Sequence, residues 1–420
     1  MKRIPVIPFL LVASLFLMWG IANNMNDTLL AAFKRIMSMS DLQTSLVQFA
    51  FYGAYFCFAL PAALFIRRFS YKAGILLGLA LYAAGTMLFY PAGNAASYGF
   101  FLFAIYIMAS GCSILETTAN PYILAMGPRE SATRRLNIAQ TFNPLGAIFG
   151  ILLSRHFILS ELNEAGAAER SGMTDEALQA IQAQELNAVS GTYLIIGAIL
   201  VTLLIIIALV KMPALKDNSE SLSIGETFAR LAGNKPYRNG VIAQFFYVGV
   251  QTCVWSFTIR VVMAETGERE SSAAMIFLWS IIAFTLCRFL FTWLMRYVKP
   301  VRLLVIASVV GMAAVAGVMI FHGPAVSVAL VTISAAMSLM FPTIYGIALE
   351  NVEQDSAKIA ASGLIMAILG GALITPVQAF VSDRFDIKTS FIVPLVCFIV
   401  ILLYAVSIVR ADRQRGAVTR

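Results

Sequence analysis

Charge is what this chain has least of. Asp, Glu, Lys and Arg make up 12% of its 420 residues, about half the ~25% usual for a soluble domain. Histidine is almost absent: His156 and His322 lie far apart in sequence, which argues against a His-based metal or acid–base site. Both read as loop-facing polar residues. The five cysteines (Cys57, Cys112, Cys253, Cys287, Cys397) sit in apolar blocks with no CxxC spacing, so neither a disulfide framework nor a metal knuckle is suggested. No metal and no cofactor is expected. In place of these, 60% of the residues are hydrophobic and the mean hydropathy is +0.82, concentrated in long blocks rather than at amphipathic spacing. That pattern describes an all-α, polytopic membrane protein.

A helix crossing the hydrocarbon core needs about 20 mostly apolar residues. That window yields twelve spans, near 6–33, 43–65, 73–91, 98–126, 135–160 and 188–211, then 238–264, 271–297, 301–321, 324–349, 358–383 and 387–410. Met1-Lys2-Arg3 ahead of an apolar run resembles a secretory leader. No small-residue cleavage site precedes the polar cluster at 23–27, however, and the first span reads as uncleaved. A polar stretch divides the chain into an N-terminal six-helix half (1–211), a linker (212–237) and a C-terminal six-helix half (238–420).

The net charge of +8 is explained by topology and not by nucleic acid. With both termini cytoplasmic, about 21 of the 30 lysines and arginines fall on that side, the positive-inside pattern. The longest outside loop, about 161–187, is acidic, with Arg170 its one basic residue. The halves echo each other: Asn120-Pro121-Tyr122 in span four and Phe341-Pro342-Thr343 in span ten each precede an acid-containing loop and a glycine-bearing helix. Two parallel repeats suit a rocking transporter.

An ionised carboxylate at a helix centre costs about 2.5–3.5 kcal/mol on insertion scales, and Asp27 and Glu116 are the clear instances of acids placed there. Asn23 and Asn24 precede Asp27 by four and three residues, so the three share a face. Glu116 and Asn120 are four apart in span four. Asn137, Gln140 and Asn143 recur every three residues in span five, ahead of Pro144. Gln244, Tyr247, Gln251 and Trp255 form a stripe in span seven. Such stripes serve either as interhelical glue or as the lining of a binding cavity. Trp19, Tyr247 and Trp255 fit packing as well as a substrate platform. Arg288 reads as a structural partner within its helix, and Arg260 as a side chain snorkelling outward.

Asn and Gln both donate and accept, which matches the hydroxyls of a sugar, and an aromatic face can cover the apolar face of a pyranose. A strongly anionic substrate would call for several cavity-facing cations, which are missing from these stripes. Amides and aromatics therefore mark Asn24, Asn120, Gln140, Asn143, Gln244, Tyr247 and Gln251 as candidate substrate contacts, with the acids Asp27 and Glu116 on the same polar faces.

The quoted motifs also carry a resemblance. Trp19-Gly20 with Asn23-Asn24-Met25-Asn26-Asp27, Ser40-Asp41-Leu42-Gln43, Leu115-Glu116-Thr117-Thr118-Ala119-Asn120-Pro121-Tyr122, Arg135-Leu136-Asn137-Ile138-Ala139-Gln140-Thr141-Phe142-Asn143 and Ala243-Gln244-Phe245 resemble the major facilitator superfamily. Within it they resemble the fucose–galactose–glucose:proton symporters, over essentially the whole length. The resemblance implies that the acid at Asp27 carries the coupled proton and that Glu116 contacts sugar and takes part in the coupling. The glucose/galactose branch commonly has Gln where Glu116 stands, which favours L-fucose. The usual Asp and Gly-x-Arg-[Arg/Lys] run after span two is missing from Ile66-Arg67-Arg68-Phe69-Ser70-Tyr71-Lys72.

The expectation is a proton-coupled L-fucose importer working by alternating access, a monomer in the bilayer of a bacterial inner membrane. Galactose, glucose or an amino sugar is the alternative cargo. A membrane-embedded glycosyl transferase is the remote alternative, disfavoured because the deepest acids lie inside helices and the outside loop has no His or Cys cluster.

Overall fold

A computed structural model describes the backbone of residues 6–37, 41–163, 169–170, 172–213, 224–267, 270–353 and 356–418. The side chains of 26–32, 34–35, 41–45, 155, 159, 224, 270–271, 413 and 415–418 lie outside the description.

Helices account for nearly all of it. In chain order they are α1 (Val6–Ile36), α2 (Asp41–Arg68), α3 (Tyr71–Met87), α4 (Phe89–Asn94), α5 (Tyr98–Ala125), α6 (Ala132–Gln140), α7 (Phe142–Phe157), α8 (Asp175–Leu209), α9 (Ile224–Gly233), α10 (Lys235–Thr266), α11 (Glu270–Leu294), α12 (Pro300–Ile320), α13 (Pro324–Met337), α14 (Met340–Glu350), α15 (Ala357–Met366), α16 (Gly370–Arg384) and α17 (Ile392–Val418). Among the described residues twelve stretches are long and apolar enough to span a membrane. Several spans are broken: the fifth into α6 and α7, the tenth into α13 and α14, and the eleventh into α15 and α16 around a 3-10 turn at Ala367–Leu369.

Two boundaries differ from the sequence reading. The sixth span begins at Asp175, well inside the stretch read as outside loop. Thr174 caps it by accepting from the Ala177 amide, and Asp175 and Glu176 occupy its first turn, where the helix dipole favours acids. The linker also holds a short helix, α9.

The chain groups into two compact units, an N unit of Pro5–Tyr122 with Phe142–Ala214 and a C unit of Ile123–Thr141 with Leu215–Arg420. The short helix α6 thus belongs to the C unit.

In the N unit, α1 and α7 cross at backbone contact. A Cβ on Gly20 would lie 2.0 Å from the Asn143 carbonyl oxygen, and one on Gly146 would lie 2.0 Å from that of Leu17. Only glycine permits this approach, the small-residue packing that membrane helices use where water supplies no driving force between them. Elsewhere in the unit the Tyr82 hydroxyl donates to the Met18 carbonyl at 2.8 Å, and Phe89 stacks on Tyr193 with ring centroids 3.9 Å apart. Lys72 Nζ donates to the Ala208 and Val210 carbonyls at 2.7 and 2.9 Å, satisfying open acceptors at the C-terminal end of α8. Arg170 and Glu185, each 1% exposed, form a two-pronged ion pair, and Glu185 also accepts the Asn163 amide. These bonds tie Asn163 and Arg170 to α8.

The C unit repeats the glycine device. A Cβ on Gly370 of α16 would lie 2.0 Å from the Phe245 carbonyl oxygen of α10, so the first and fifth spans of each half cross alike. Helix α6 packs on α14: the Thr133 hydroxyl donates to Glu350 Oε1 at 2.5 Å, Asn137 Nδ2 donates to Thr343 Oγ1 at 3.3 Å, and Arg129 donates to the Glu350 carbonyl at 2.6 Å. Gly346 supplies the close approach beside Thr133.

Candidate functional site

In the N unit the polar residues singled out in the sequence sit on α1, α5 and α7. Glu116 is 2% exposed, and among the described residues neither of its carboxylate oxygens has a hydrogen-bond partner. Buried carboxylates in folded proteins are ordinarily paired or hydrogen-bonded, so this one has the surroundings of a group that takes up and gives away a proton. Asn120, one turn further along α5, has no exposed surface and donates through Nδ2 to the Glu116 carbonyl at 3.0 Å. Asn24 is half-buried on α1 and donates to the Gly20 carbonyl at 3.3 Å. The glycine crossing places Asn24 and Asn143 on adjoining helices. Asp27 lies on the α1 backbone, and its side chain is outside the described residues.

The C unit carries the other four. Gln244 and Tyr247 have no exposed surface, and neither amide atom of Gln244 nor the Tyr247 hydroxyl has a partner among the described residues. Tyr247 meets Phe341 edge to face with centroids 6.1 Å apart. Gln251 follows on the same helix, half-buried. Gln140 is buried at the end of α6. Trp255, by contrast, is engaged in packing and donates through its indole N–H to Ser334 Oγ at 3.2 Å.

Arg288 has a role that its position alone did not reveal. It is 3% exposed on α11. Its Nε donates to the Ser338 carbonyl at 2.6 Å, one terminal nitrogen donates to the Gln140 carbonyl at 3.0 Å, and the guanidinium lies 4.7 Å from the Phe284 ring centroid. Both carbonyls stand four residues before a proline, Pro342 and Pro144. Proline has no N–H to give to the carbonyl four residues back, so each break orphans an acceptor. One planar cation serves both breaks, and it thereby fixes the end of α6, where Gln140 sits. The sequence signal was available: Pro144 within span five, Pro342 within span ten, and an arginine inside span eight with no acid near it in sequence.

Arg288→Gln is expected to destabilise the protein by about 1–3 kcal/mol for each carbonyl left bare, with Arg288→Lys only partly restoring it because an ammonium lacks the planar fork. Thermal unfolding of the purified variants checks this: an Arg288→Gln midpoint equal to the parent's would contradict it.

Among the described residues no three His, Cys, Asp or Glu side chains are grouped to hold a metal ion. The N unit presents amides and the acid Glu116, and the C unit presents amides and aromatic faces. Amides of this kind bind neutral hydroxyl groups, and an acid can hold and release a proton.

Comparison with known proteins agrees in kind. The chain is 41% identical over 412 residues to the L-fucose-proton symporter of Haemophilus influenzae, covering 95% of this chain and 96% of that one. It is 32% identical over 398 residues to a glucose/galactose transporter of Brucella abortus, covering 93% and 91%. The crystal structure of FucP, a Major Facilitator Superfamily transporter in the outward conformation, superposes with a TM-score of 0.89 at 38% identity, covering 96% of this chain and 99% of that one. These relatives are transporters and not enzymes. With the sequence model of the Major Facilitator Superfamily matching residues 9–373, and with twelve spans whose first and fifth helices cross alike in each half, the chain belongs to the major facilitator superfamily.

Proposed function

We propose that this protein imports a monosaccharide, L-fucose in preference, in symport with protons. The observation that carries the reading is Glu116, an acid held in the apolar interior with neither oxygen paired among the described residues. Taking up a proton removes its charge and lets the loaded carrier change conformation, and releasing the proton inside frees the sugar. Asp27 is assigned the same work on α1. Asn24, Asn120, Asn143, Gln140, Gln244, Tyr247 and Gln251 hold the sugar hydroxyls and ring. The carrier works as a monomer in a bacterial inner membrane, both termini cytoplasmic, its halves 1–211 and 238–420 rocking about the linker 212–237. The likeness to L-fucose-proton symporters over nearly the full chain supports this assignment of substrate and ion.

Galactose or glucose is the second reading, favoured by the likeness to glucose/galactose transporters. One experiment separates them. Adding L-fucose to lightly buffered, de-energised cells that make this protein is expected to turn the medium alkaline, and galactose and glucose to leave it unchanged. Alkalinisation by galactose or glucose alone would transfer the assignment to that sugar, and no pH change with any of them would remove proton coupling.

A further inference from the structure

Span eight ends at Leu294. Arg296 and Tyr297 follow directly, beside the first turn of α6 and its Arg134. Helices α6 and α11 pack together within the C unit, and Arg134, Arg296 and the Tyr297 hydroxyl are near enough for their charges to act on one another. None of the three belongs to the sugar stripes. The two guanidiniums meet without an acid between them. Arg134 Nε is shielded from solvent and has no hydrogen-bond partner among the described residues, and neither arginine forms an ion pair among them. The nearby described acids are not aimed at the pair. Glu350, on the α14 helix that packs on α6, accepts from Thr133, and Asp412 lies 3.6 Å from Lys299. Glu130, on the turn ahead of α6, is exposed and bonded to neither arginine.

Helix α11 supplies the other half of the site. Leu286, Phe289, Leu290, Trp293 and Tyr297 recur at helical spacing and are all exposed, an apolar strip that ends at Arg296. Trp293 and Tyr297 meet edge to face with centroids 5.3 Å apart, as aromatic residues gather where a span meets the membrane–water boundary. Any span can show lipid an apolar strip, but this one has two cations at its head. A guanidinium is planar, weakly hydrated and shaped for phosphate oxygens. One phosphate placed between two of them offsets their repulsion and gives the shielded N–H an acceptor. A free phosphate would use the cations alone, whereas one that carries acyl chains uses the strip as well.

We propose that Arg134 and Arg296 together bind the phosphate of an anionic glycerophospholipid whose acyl chains lie along the exposed strip of α11. Arg134 donates through Nε, Arg296 through its planar fork, and the Tyr297 hydroxyl donates to a remaining oxygen. The bound phosphate pins the first turn of α6 to α11, as Arg288 pins its last turn through the Gln140 carbonyl. This site is independent of the sugar reading.

The test uses the purified full chain, delipidated in phosphate-free maltoside detergent, its thermal unfolding midpoint read against rising phosphatidylglycerol, phosphatidylcholine or inorganic phosphate. A saturable upward shift is expected with phosphatidylglycerol, at a half-saturating concentration about tenfold higher for Arg296→Gln through loss of a charge-assisted bond. Arg134→Gln is expected to weaken the lipid likewise. Without lipid, Arg296→Gln should unfold at or above the parent's midpoint, because it relieves a like-charge repulsion. A lower midpoint there would give Arg296 a merely structural role and contradict the proposal. Lys299→Gln controls for diffuse charge attraction: Lys299 is close by in sequence and already paired with Asp412, and its variant should bind as the parent does. No saturable shift with phosphatidylglycerol overturns the site, as does an equal shift with phosphatidylcholine or inorganic phosphate, or a Lys299→Gln loss as large as that of Arg296→Gln. Arg296 is an exposed residue, so its variant decides the matter even where Arg134→Gln fails to fold.

Discussion

Glu116→Gln is expected to leave a folded protein that exchanges L-fucose across the membrane but no longer concentrates it. Glutamine keeps the size and shape of the side chain and removes the proton that the carboxylate gains and loses. The parent draws on the proton gradient, and one charge moved through 100 mV supplies about 2.3 kcal/mol, which sustains a sugar ratio of roughly fifty between inside and outside. In the variant that ratio falls to about one. The pH profile separates loss of coupling from general damage. Parent uptake rises as the outside pH falls, because a more acidic medium loads the carrier, whereas Glu116→Gln uptake is flat across the same range. Exchange of labelled for unlabelled sugar is the control, since it needs binding and turnover but no net proton movement. Asp27→Asn is expected to behave likewise with respect to accumulation. A Glu116→Gln protein that accumulates sugar with the parent's pH profile would remove this residue from the coupling.

The second large effect falls on folding. Gly146→Ala places a methyl group 2.0 Å from the Leu17 carbonyl oxygen. The obstruction is backbone, which cannot rotate away as a flexible side chain can. Overpacking a well-packed interior costs about 1–3 kcal/mol and sometimes more, and a contact this short belongs at or beyond the upper end. Gly370→Ala meets the Phe245 carbonyl at the same distance in the C unit and is expected to match it. The yield of monodisperse protein after detergent extraction should collapse for both. Gly191 supplies the control: a Cβ there meets nothing within 4 Å, and alanine in mid-helix is about 0.5–1 kcal/mol better than glycine. Gly191→Ala should therefore be extracted at least as well as the parent. Equal yields of Gly146→Ala and the parent would mean that α1 and α7 do not cross as described.

The parts of this architecture that depend on hydropathy were legible in the sequence. Long apolar blocks spaced by polar turns give the twelve spans, and acids within helices stand out because lipid makes them costly. Glu116, Gln244 and Tyr247 were picked out by residue type and spacing alone, and all three are buried with polar atoms unpaired among the described residues.

Features that depend on tertiary pairing were not legible. Pro144 announces a break in span five, but nothing in the sequence says that the carbonyl it frees is met by Arg288, nearly 150 residues away. The crossing glycines look like ordinary helix glycines until the partner backbone is beside them. The start of α8 was misjudged for a different reason. By charge the run Asp175-Glu176 reads as acidic loop, although Thr174 followed by two acids is also a helix start signal. The α9 helix hid within a stretch whose charge drew attention to the linker and away from its Leu231 and Thr227, which are buried four residues apart on one face.

The sharpest test of proton coupling is the steady-state ratio of L-fucose inside to outside reconstituted vesicles, measured as the imposed pH difference is varied with the membrane potential clamped at zero. One proton per sugar predicts a ratio that grows about tenfold for each pH unit, for the parent and not for Glu116→Gln. A ratio that stays at one in the parent, or that follows a sodium gradient and ignores pH, would contradict the account.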